Sequence, residues 1–201
     1  DRDDPAFKDP TKPVGIGYDT EDEAKAAMAR EGWDGYVHYN KTGKWRRLVA
    51  SPFPQKTPHL SAIELLADEG YLVVAGGGGG VPYSLNPDGT IRREAAVIDK
   101  DLESAVIASS LGIERFVIST GVDYVKWDYG KPDEKDPDKK EKNFYSINYD
   151  ELCSLLDEDA SKPKDKKQFK DGQMGPKLAA ARYFLEHSAY PNARVLITHA
   201  N

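Results

Sequence analysis

Five consecutive glycines, Gly76–Gly80, follow the apolar run Tyr71–Ala75 near the middle of the chain. Glycine lets backbone N–H groups approach a ligand closely, and such groups bind anions, phosphate above all. The alternative is a flexible turn. Because Pro82 and a predicted hairpin follow, the run is neither a P-loop nor the glycine fingerprint of dinucleotide-binding folds. The glycines therefore predict an anion site of another kind.

Charged residues at three predicted element ends could accompany this anion site. Lys177 lies in the first turn of a predicted helix, where N–H groups add positive potential, although an exposed helix lysine is the alternative. Asp123 follows a predicted strand, where a carboxylate can hold two lysines, ligate Mg²⁺ through water, or only cap a turn. Asp99 and Asp101 begin another predicted helix, and a plain N-cap is the simpler interpretation of Asp99.

The elements that must position these residues alternate between strands and helices. Strands are predicted near residues 71, 115 and 195, with helices between them, which indicates βαβ units and a parallel sheet. Ligands bind at the carboxyl ends of such strands. The glycine run, the segment Thr120–Asp123 and the loop after Thr198 are the three ends. The sequence therefore predicts an α/β fold.

Local signals set the remaining elements. A capping box at Thr20 and Glu23 predicts a helix to about Arg30. Turn residues at 40–43 and 86–89 predict two hairpins. Four further helices are expected: from Leu60 to Gly70, from Asp99 to Gly112, from Asn148 through Leu156, and from Pro176 with Leu178, Ala181 and Leu185 inward.

Composition excludes several classes of function. The net charge is −6 and no basic stripe is present, so nucleic acid is a poor partner. No run approaches the about 18 apolar residues of a membrane helix. One cysteine, Cys153, rules out an internal disulfide framework and fits a reducing compartment. The four histidines lack metal-ligand spacing.

The two ends suggest that the sequence is part of a longer polypeptide. The chain begins at Asp1 without Met or a signal peptide, and it stops at Asn201 just after a strand-like apolar run. We therefore expect further residues on both sides.

Six segments together resemble the carbamate kinases, which have the amino-acid-kinase fold. In order they are AFKDPTKPVG (6–15), AGGGGGVP (75–82), AVIDKDLESAVIA (96–108), ISTGVDYV (118–125), YGKPDEK (129–135) and MGPK (174–177). The resemblance implies a three-layer sandwich with a mostly parallel central sheet. Residues 1–201 would form an incomplete domain of this fold. Within it, residues 6–50 would be a small protruding lobe on the substrate side, and residues 51–201 the nucleotide-binding core.

The resemblance also implies a reaction. Carbamate kinases transfer a phosphoryl group reversibly between ATP and carbamate, giving ADP and carbamoyl phosphate, and they typically make ATP in arginine catabolism. They use Mg²⁺ with the nucleotide, with no metal bound directly by protein side chains, and are normally cytoplasmic homodimers. Members carry an additional phosphate loop before the segment that matches this chain. The 201 residues alone are therefore expected to be inactive.

The resemblance assigns four catalytic residues. Lys177 would contact the nucleotide phosphates, Lys131 the phosphate between donor and acceptor, and Lys12 the carbamate, while Asp123 would organise the lysines. Asp99 and Asp101 would support the lysines without contacting the substrates themselves. The residues expected to bind nucleotide or phosphate are Gly76, Gly77, Gly78, Gly79, Gly80, Thr120, Gly121, Tyr129, Met174 and Gly175.

Two alternative functions stay open at this point. The chain could belong to another amino-acid kinase with a different acceptor, although the segment around Lys12 argues for carbamate. It could also be a regulatory nucleotide-binding protein on the same fold that no longer catalyses a reaction. The presence of Lys12, Asp123, Lys131 and Lys177 argues against that second alternative.

Overall fold

A computed structural model describes most of the chain as two compact units. The first comprises Asp1–Gln55 and Gly76–Lys100, and the second comprises Lys56–Ala75 and Asp101–Asn201. The described residues are 2–33, 35–39, 42–77, 82–127, 142–163, 168–169 and 174–199. The predicted division into a substrate-side lobe at residues 6–50 and a nucleotide-binding core at residues 51–201 stays a prediction.

Five α-helices, one short 3-10 helix at Pro5–Phe7 and nine strands lie in the described ranges. The helices are α1 (Glu21–Glu31), α2 (Leu60–Asp68), α3 (Lys100–Ser110), α4 (Tyr149–Ala160) and α5 (Met174–His187). The strands are β1 (Lys12–Tyr18), β2 (Tyr36–Tyr39), β3 (Lys44–Val49), β4 (Tyr83–Leu85), β5 (Ile91–Arg93), β6 (Arg115–Thr120), β7 (Val125–Trp127), β8 (Lys142–Phe144) and β9 (Arg194–His199).

The first unit contains a three-stranded antiparallel sheet in the order β1-β3-β2. Lys12 of β1 lies opposite Val49 of β3. Helix α1 begins at the predicted capping box, in which Thr20 and Glu23 each accept from the other's backbone N–H. Ala24 and Ala27 of α1 are completely buried. The predicted helix and hairpin are thus confirmed, and the preceding arm contributes β1 to the same sheet.

The second predicted hairpin also lies in the first unit. Strands β4 and β5 pair antiparallel, with Leu85 opposite Ile91. The turn is held by Asp88, whose carboxylate accepts from the backbone N–H and the hydroxyl of Thr90 at 2.9 and 2.6 Å.

The core of the second unit lies on one face of a parallel strand pair. Strands β6 and β9 run parallel, from Arg115 opposite Arg194 to Thr120 opposite His199. Phe116 and Ile118 point from β6 into a cluster with Ala105 of α3 and with Ala180 and Phe184 of α5. Their alternation with exposed residues is the pattern of a strand with one covered face.

A second cluster joins α4, α5 and β7 in the same unit. Its buried members are Val125, Leu152, Phe169, Leu178 and Ala181. Helix α4 begins after Asn148, as predicted, and the side chains of Asn148 and Glu151 form a capping box there. The helix ends at Ala160, beyond the predicted Leu156. Both clusters include residues of α5, so this helix is held along its length.

The predicted buried strand Tyr71–Ala75 is wrong. These residues form no described strand, and Leu72 and Val74 are 96% and 93% exposed. Helix α2 before them has no buried residue, although Gly70 follows it with φ 84° as a helix-terminating glycine should. Apolar residues indicate a preference for burial, but a strand also needs a neighbour for its backbone hydrogen bonds. Within the described ranges no strand runs beside this segment.

The predicted α/β class is confirmed. The described sheets comprise one parallel pair, β6-β9, and three antiparallel sheets. Nowhere in the described ranges is a helix long and apolar enough to cross a membrane.

Candidate active site

A lysine–aspartate pair lies at the start of α5 in the second unit. The Lys177 ammonium donates to Asp101 Oδ2 at 2.9 Å, and each side chain is only 13% exposed. Lys177 is the fourth residue of α5, in the first turn, where Pro176 fits because this turn needs no N–H from it. First-turn N–H groups lack partners within the helix, so the ammonium lies where the backbone is also positive.

A second lysine–aspartate pair lies in the first unit. Lys12, the first residue of β1, donates to Asp99 Oδ2 at 2.9 Å. The Lys12 side chain is 25% exposed and that of Asp99 is 11% exposed. Asp99 immediately precedes α3, whose second residue is Asp101. The two carboxylates that hold the two lysines are therefore separated by one residue.

The pairs are suited to hold an anion without losing their own structure. An ammonium group has three N–H donors. When one of them donates to a carboxylate, the others can still donate to ligand oxygens. Partial burial strengthens the charge-assisted hydrogen bond and fixes the ammonium group in place. A lysine held in this way is a pre-positioned cation for phosphate oxygens.

Lys100 is a candidate that the sequence analysis missed. It is the first residue of α3, lies between Asp99 and Asp101, and is exposed. The signal was present in the sequence as a lysine between two aspartates at a predicted helix start. Its two sequence neighbours, Asp99 and Asp101, each accept from another lysine.

The structure places the described part of the glycine run in a conformation that requires glycine. Gly76 and Gly77 have φ of 70° and 119°. A side chain at φ 119° is strained whatever the space around it. Gly78, Gly79 and Gly80 lie outside the described residues.

The remaining predicted residues lie near strand and helix ends of the second unit. Thr120 ends β6, Gly121 follows it, and Asp123 is exposed after the strand. Met174 and Gly175 begin α5, and Met174 packs partly against the cluster around Leu178. Their nucleotide contacts stay predictions. Tyr129 and Lys131 lie outside the described residues.

In each unit, the structure thus pairs one of the predicted lysines with an aspartate. Lys12 pairs with Asp99 and Lys177 with Asp101, which gives the two supporting aspartates a definite role. The sequence analysis gave the organising role to Asp123 instead, and that assignment stays a prediction.

Comparison with known proteins places these residues in a family. The model of the amino acid kinase family matches residues 40–199. The chain belongs to the amino acid kinase family. That family domain includes the β6-β9 pair, the start of α3 with both aspartates, and all of α5 with Lys177.

Several family members similar to this chain are named carbamate kinases. The carbamate kinase of Pyrococcus furiosus is 37% identical over 199 residues, which are 99% of this chain and 56% of that protein. The carbamate kinase of Staphylococcus haemolyticus is 37% identical over 196 residues, 98% of this chain and 57% of that protein. The chain therefore spans little more than half the length of these curated relatives.

A solved structure of a third relative shares the fold. The Giardia lamblia carbamate kinase bound to AMP-PNP superposes with a TM-score of 0.76 at 33% identity, covering 99% of this chain and 56% of that chain. The amino-acid-kinase fold predicted from the sequence is thus confirmed.

Proposed function

We propose that the protein containing this chain is a carbamate kinase, which transfers a phosphoryl group reversibly between ATP and carbamate. The observation that carries the proposal is the Lys177–Asp101 pair in the first turn of α5, because it provides a fixed cation at a positive helix end. The relatives named above support the choice of carbamate as acceptor. AMP-PNP in the Giardia protein supports a nucleotide as donor.

We infer different tasks for the two held lysines. Phosphoryl transfer needs little covalent chemistry from the protein, and depends on positioning and on cations around the charge spread over the transferred oxygens. Lys177 would bind the nucleotide phosphates, and Asp101 would keep its ammonium in place. Lys12, held by Asp99, would bind on the carbamate side. Backbone N–H groups at Gly76 and Gly77 would bind phosphate or carbamate oxygens.

We infer that Mg²⁺ arrives with the nucleotide. Asp99 and Asp101 each accept from a lysine, so both carboxylates already have a cationic partner. Mg²⁺ is commonly bound by substrate phosphates and water with one or two carboxylates, and it neutralises charge on the phosphates. Asp123, exposed after β6, would contact such an ion through water.

The remaining assignments rest on the family resemblance. We propose that the protein works mainly towards ATP in arginine catabolism, as a cytoplasmic homodimer, and that Lys131 contacts the transferred phosphoryl group.

Replacement of Lys177 tests the proposal. In the full-length protein, ATP formation from ADP and carbamoyl phosphate should fall about 10²-fold to 10³-fold in Lys177→Ala, because a cation at the reacting phosphates is lost. Lys162→Ala is the matched control, since Lys162 also makes a 2.9 Å ion pair in the second unit, with Glu158 at the end of α4. The control should keep wild-type activity.

Three outcomes would contradict the proposal. A folded wild-type protein without turnover on carbamoyl phosphate would remove it. Turnover only with another carboxylate acceptor would favour a different amino acid kinase. Wild-type activity in a folded Lys177→Ala variant would show that the cation at α5 does not serve the reaction.

A further inference from the structure

Asp159 is a buried carboxylate to which the proposed mechanism gives no role. It is 4% exposed, and of the residues that the structure describes it is the one buried charged side chain. It lies next to the last residue of α4, where the negative end of the helix disfavours a further negative charge. Burial of a carboxylate is costly unless it is hydrogen-bonded. Specific hydrogen bonds must therefore offset the free-energy cost of burying this carboxylate.

The carboxylate of Asp159 holds the backbone of two residues further along the chain, Gln168 and Phe169. Oδ1 accepts from the N–H of Gln168 at 2.6 Å, and Oδ2 accepts from the N–H of Phe169 at 3.2 Å. Both oxygens are thus used, and the chain at 168–169 is fixed against the end of α4. The neighbouring acids behave differently: Asp157 and Glu158 are 67% and 61% exposed and pair with surface cations.

Phe169 connects this anchor to α5. Its side chain is 6% exposed and belongs to the cluster that includes Leu178 and Ala181 of α5. Leu178, itself 2% exposed, directly follows Lys177 in the sequence. The Asp159 carboxylate thus holds the Phe169 backbone, and the Phe169 ring belongs to the same buried cluster as Leu178, the residue after Lys177.

We propose that Asp159 is a positioning residue for Lys177. It fixes the backbone of Phe169, whose ring supports the first turn of α5, and this support sets where the Lys177 ammonium meets Asp101. The inference rests on the proposed function only for the statement that Lys177 binds phosphate. The coupling between Asp159 and α5 is a property of the second unit alone.

The test is a double-mutant cycle in the full-length protein. Asp159→Asn keeps the shape of the side chain but removes one of its two acceptor oxygens. We expect kcat/KM for ADP to fall about 10-fold to 100-fold, the effect of a small displacement of a positioned group. Asp157→Asn, on the same helix end, should leave it unchanged. In a Lys177→Ala background, Asp159→Asn should have little further effect, because its route to the reaction is already gone.

The cycle also defines the results that overturn the inference. If the effects of Asp159→Asn and Lys177→Ala multiply, Asp159 acts independently of Lys177. If Asp159→Asn is folded and as active as wild type, it has no positioning role. Should Asp159→Asn fail to fold, Phe169→Leu takes its place in the cycle. This substitution weakens the packing of residue 169 against the cluster that includes Leu178. The same outcomes then support or overturn the inference.

Hydrogen–deuterium exchange separates this inference from the proposed function. Backbone amides in the first turns of α5 should exchange faster in Asp159→Asn than in wild type or in Asp157→Asn. This result would support the coupling even if the protein had no activity on carbamoyl phosphate. Unchanged exchange there would overturn the coupling even in an active carbamate kinase.

Discussion

Replacement of Asp101 by Asn should destabilise the second unit far more than the same replacement at Asp157. Both aspartates lie in this unit, and both accept from a cation at 2.9 Å, Asp101 from Lys177 and Asp157 from Arg182. The two pairs differ in burial. Both side chains are 13% exposed in the Lys177–Asp101 pair, whereas those of Arg182 and Asp157 are 38% and 67% exposed.

The size of the difference follows from what each substitution leaves behind. Loss of the partner of a fully buried charge costs about 3–5 kcal/mol. Since the Lys177 side chain keeps some contact with water, we expect about 2 kcal/mol for Asp101→Asn, between that value and the exposed limit. An exposed pair contributes about 0–1 kcal/mol, and Asp157→Asn should therefore be close to wild type.

Urea unfolding followed by circular dichroism measures both free energies of unfolding. The cost of Asp101→Asn should also depend less on salt than any cost of Asp157→Asn, because buried pairs are screened less. If the two variants unfold at the same urea concentration, burial does not set the strength of these pairs. The argument that Lys177 is a fixed cation would then fail with it.

Three further stability predictions concern single residues. Phe184→Ala should lower the free energy of unfolding by about 3–5 kcal/mol, since a completely buried ring is replaced by a cavity, and urea unfolding should show a smaller loss in Phe184→Leu. Gly32→Ala should cost about 1 kcal/mol in the same assay, because Gly32 ends α1 at φ 66° with open space around it, so only the backbone conformation opposes a side chain. The pKa of Glu21 is lowered, mainly by its hydrogen bond with Lys25, and the resulting stability is present above the ordinary pKa of Glu21 and lost as pH falls through the lowered one. Acid titration of stability should therefore lose part of its slope in Glu21→Gln, and an unchanged slope would contradict the prediction.

Elements fixed by local chemistry could be predicted from the sequence. The capping box predicted at Thr20 formed, and the helix predicted from Asn148 also begins with one, because in both cases the partner lies three residues along the chain. The hairpin at residues 86–89 and the strand of β6 also follow from neighbours in sequence. In each case, the residues that decide the structure lie inside the window that the pattern describes.

Nonlocal contacts could not be predicted in the same way. Lys12 and Asp99 are 87 residues apart in sequence, and Lys177 and Asp101 are 76 apart. The family resemblance pointed to these residues, but spacing alone could not say which carboxylate meets which ammonium. Asp159 was missed because it stands in the acidic run Asp157–Asp159, which is typical of a solvated helix face. Its one signal was a negative charge just beyond the carboxyl end of a predicted helix, an unfavourable place for it.

The segment from Tyr71 to Ala75 shows the limit of an apolar pattern. Its residues favour burial in a strand, yet Leu72 and Val74 are almost fully exposed. The pattern describes what the residues prefer, whereas a strand depends on partners that the pattern does not contain. In β6 the same preference was met, because β9 lies beside it and α3 and α5 cover one face.

The start of α3 explains how one short segment can hold two separate lysines. Asp99 immediately precedes α3 and Asp101 is the second residue of the helix, and each carboxylate has a lysine partner of its own. Each can therefore accept from its own lysine without competing with the other for one ammonium. The segment thus supplies the counter-charge of each lysine separately, and the strength of each pair follows from its own burial.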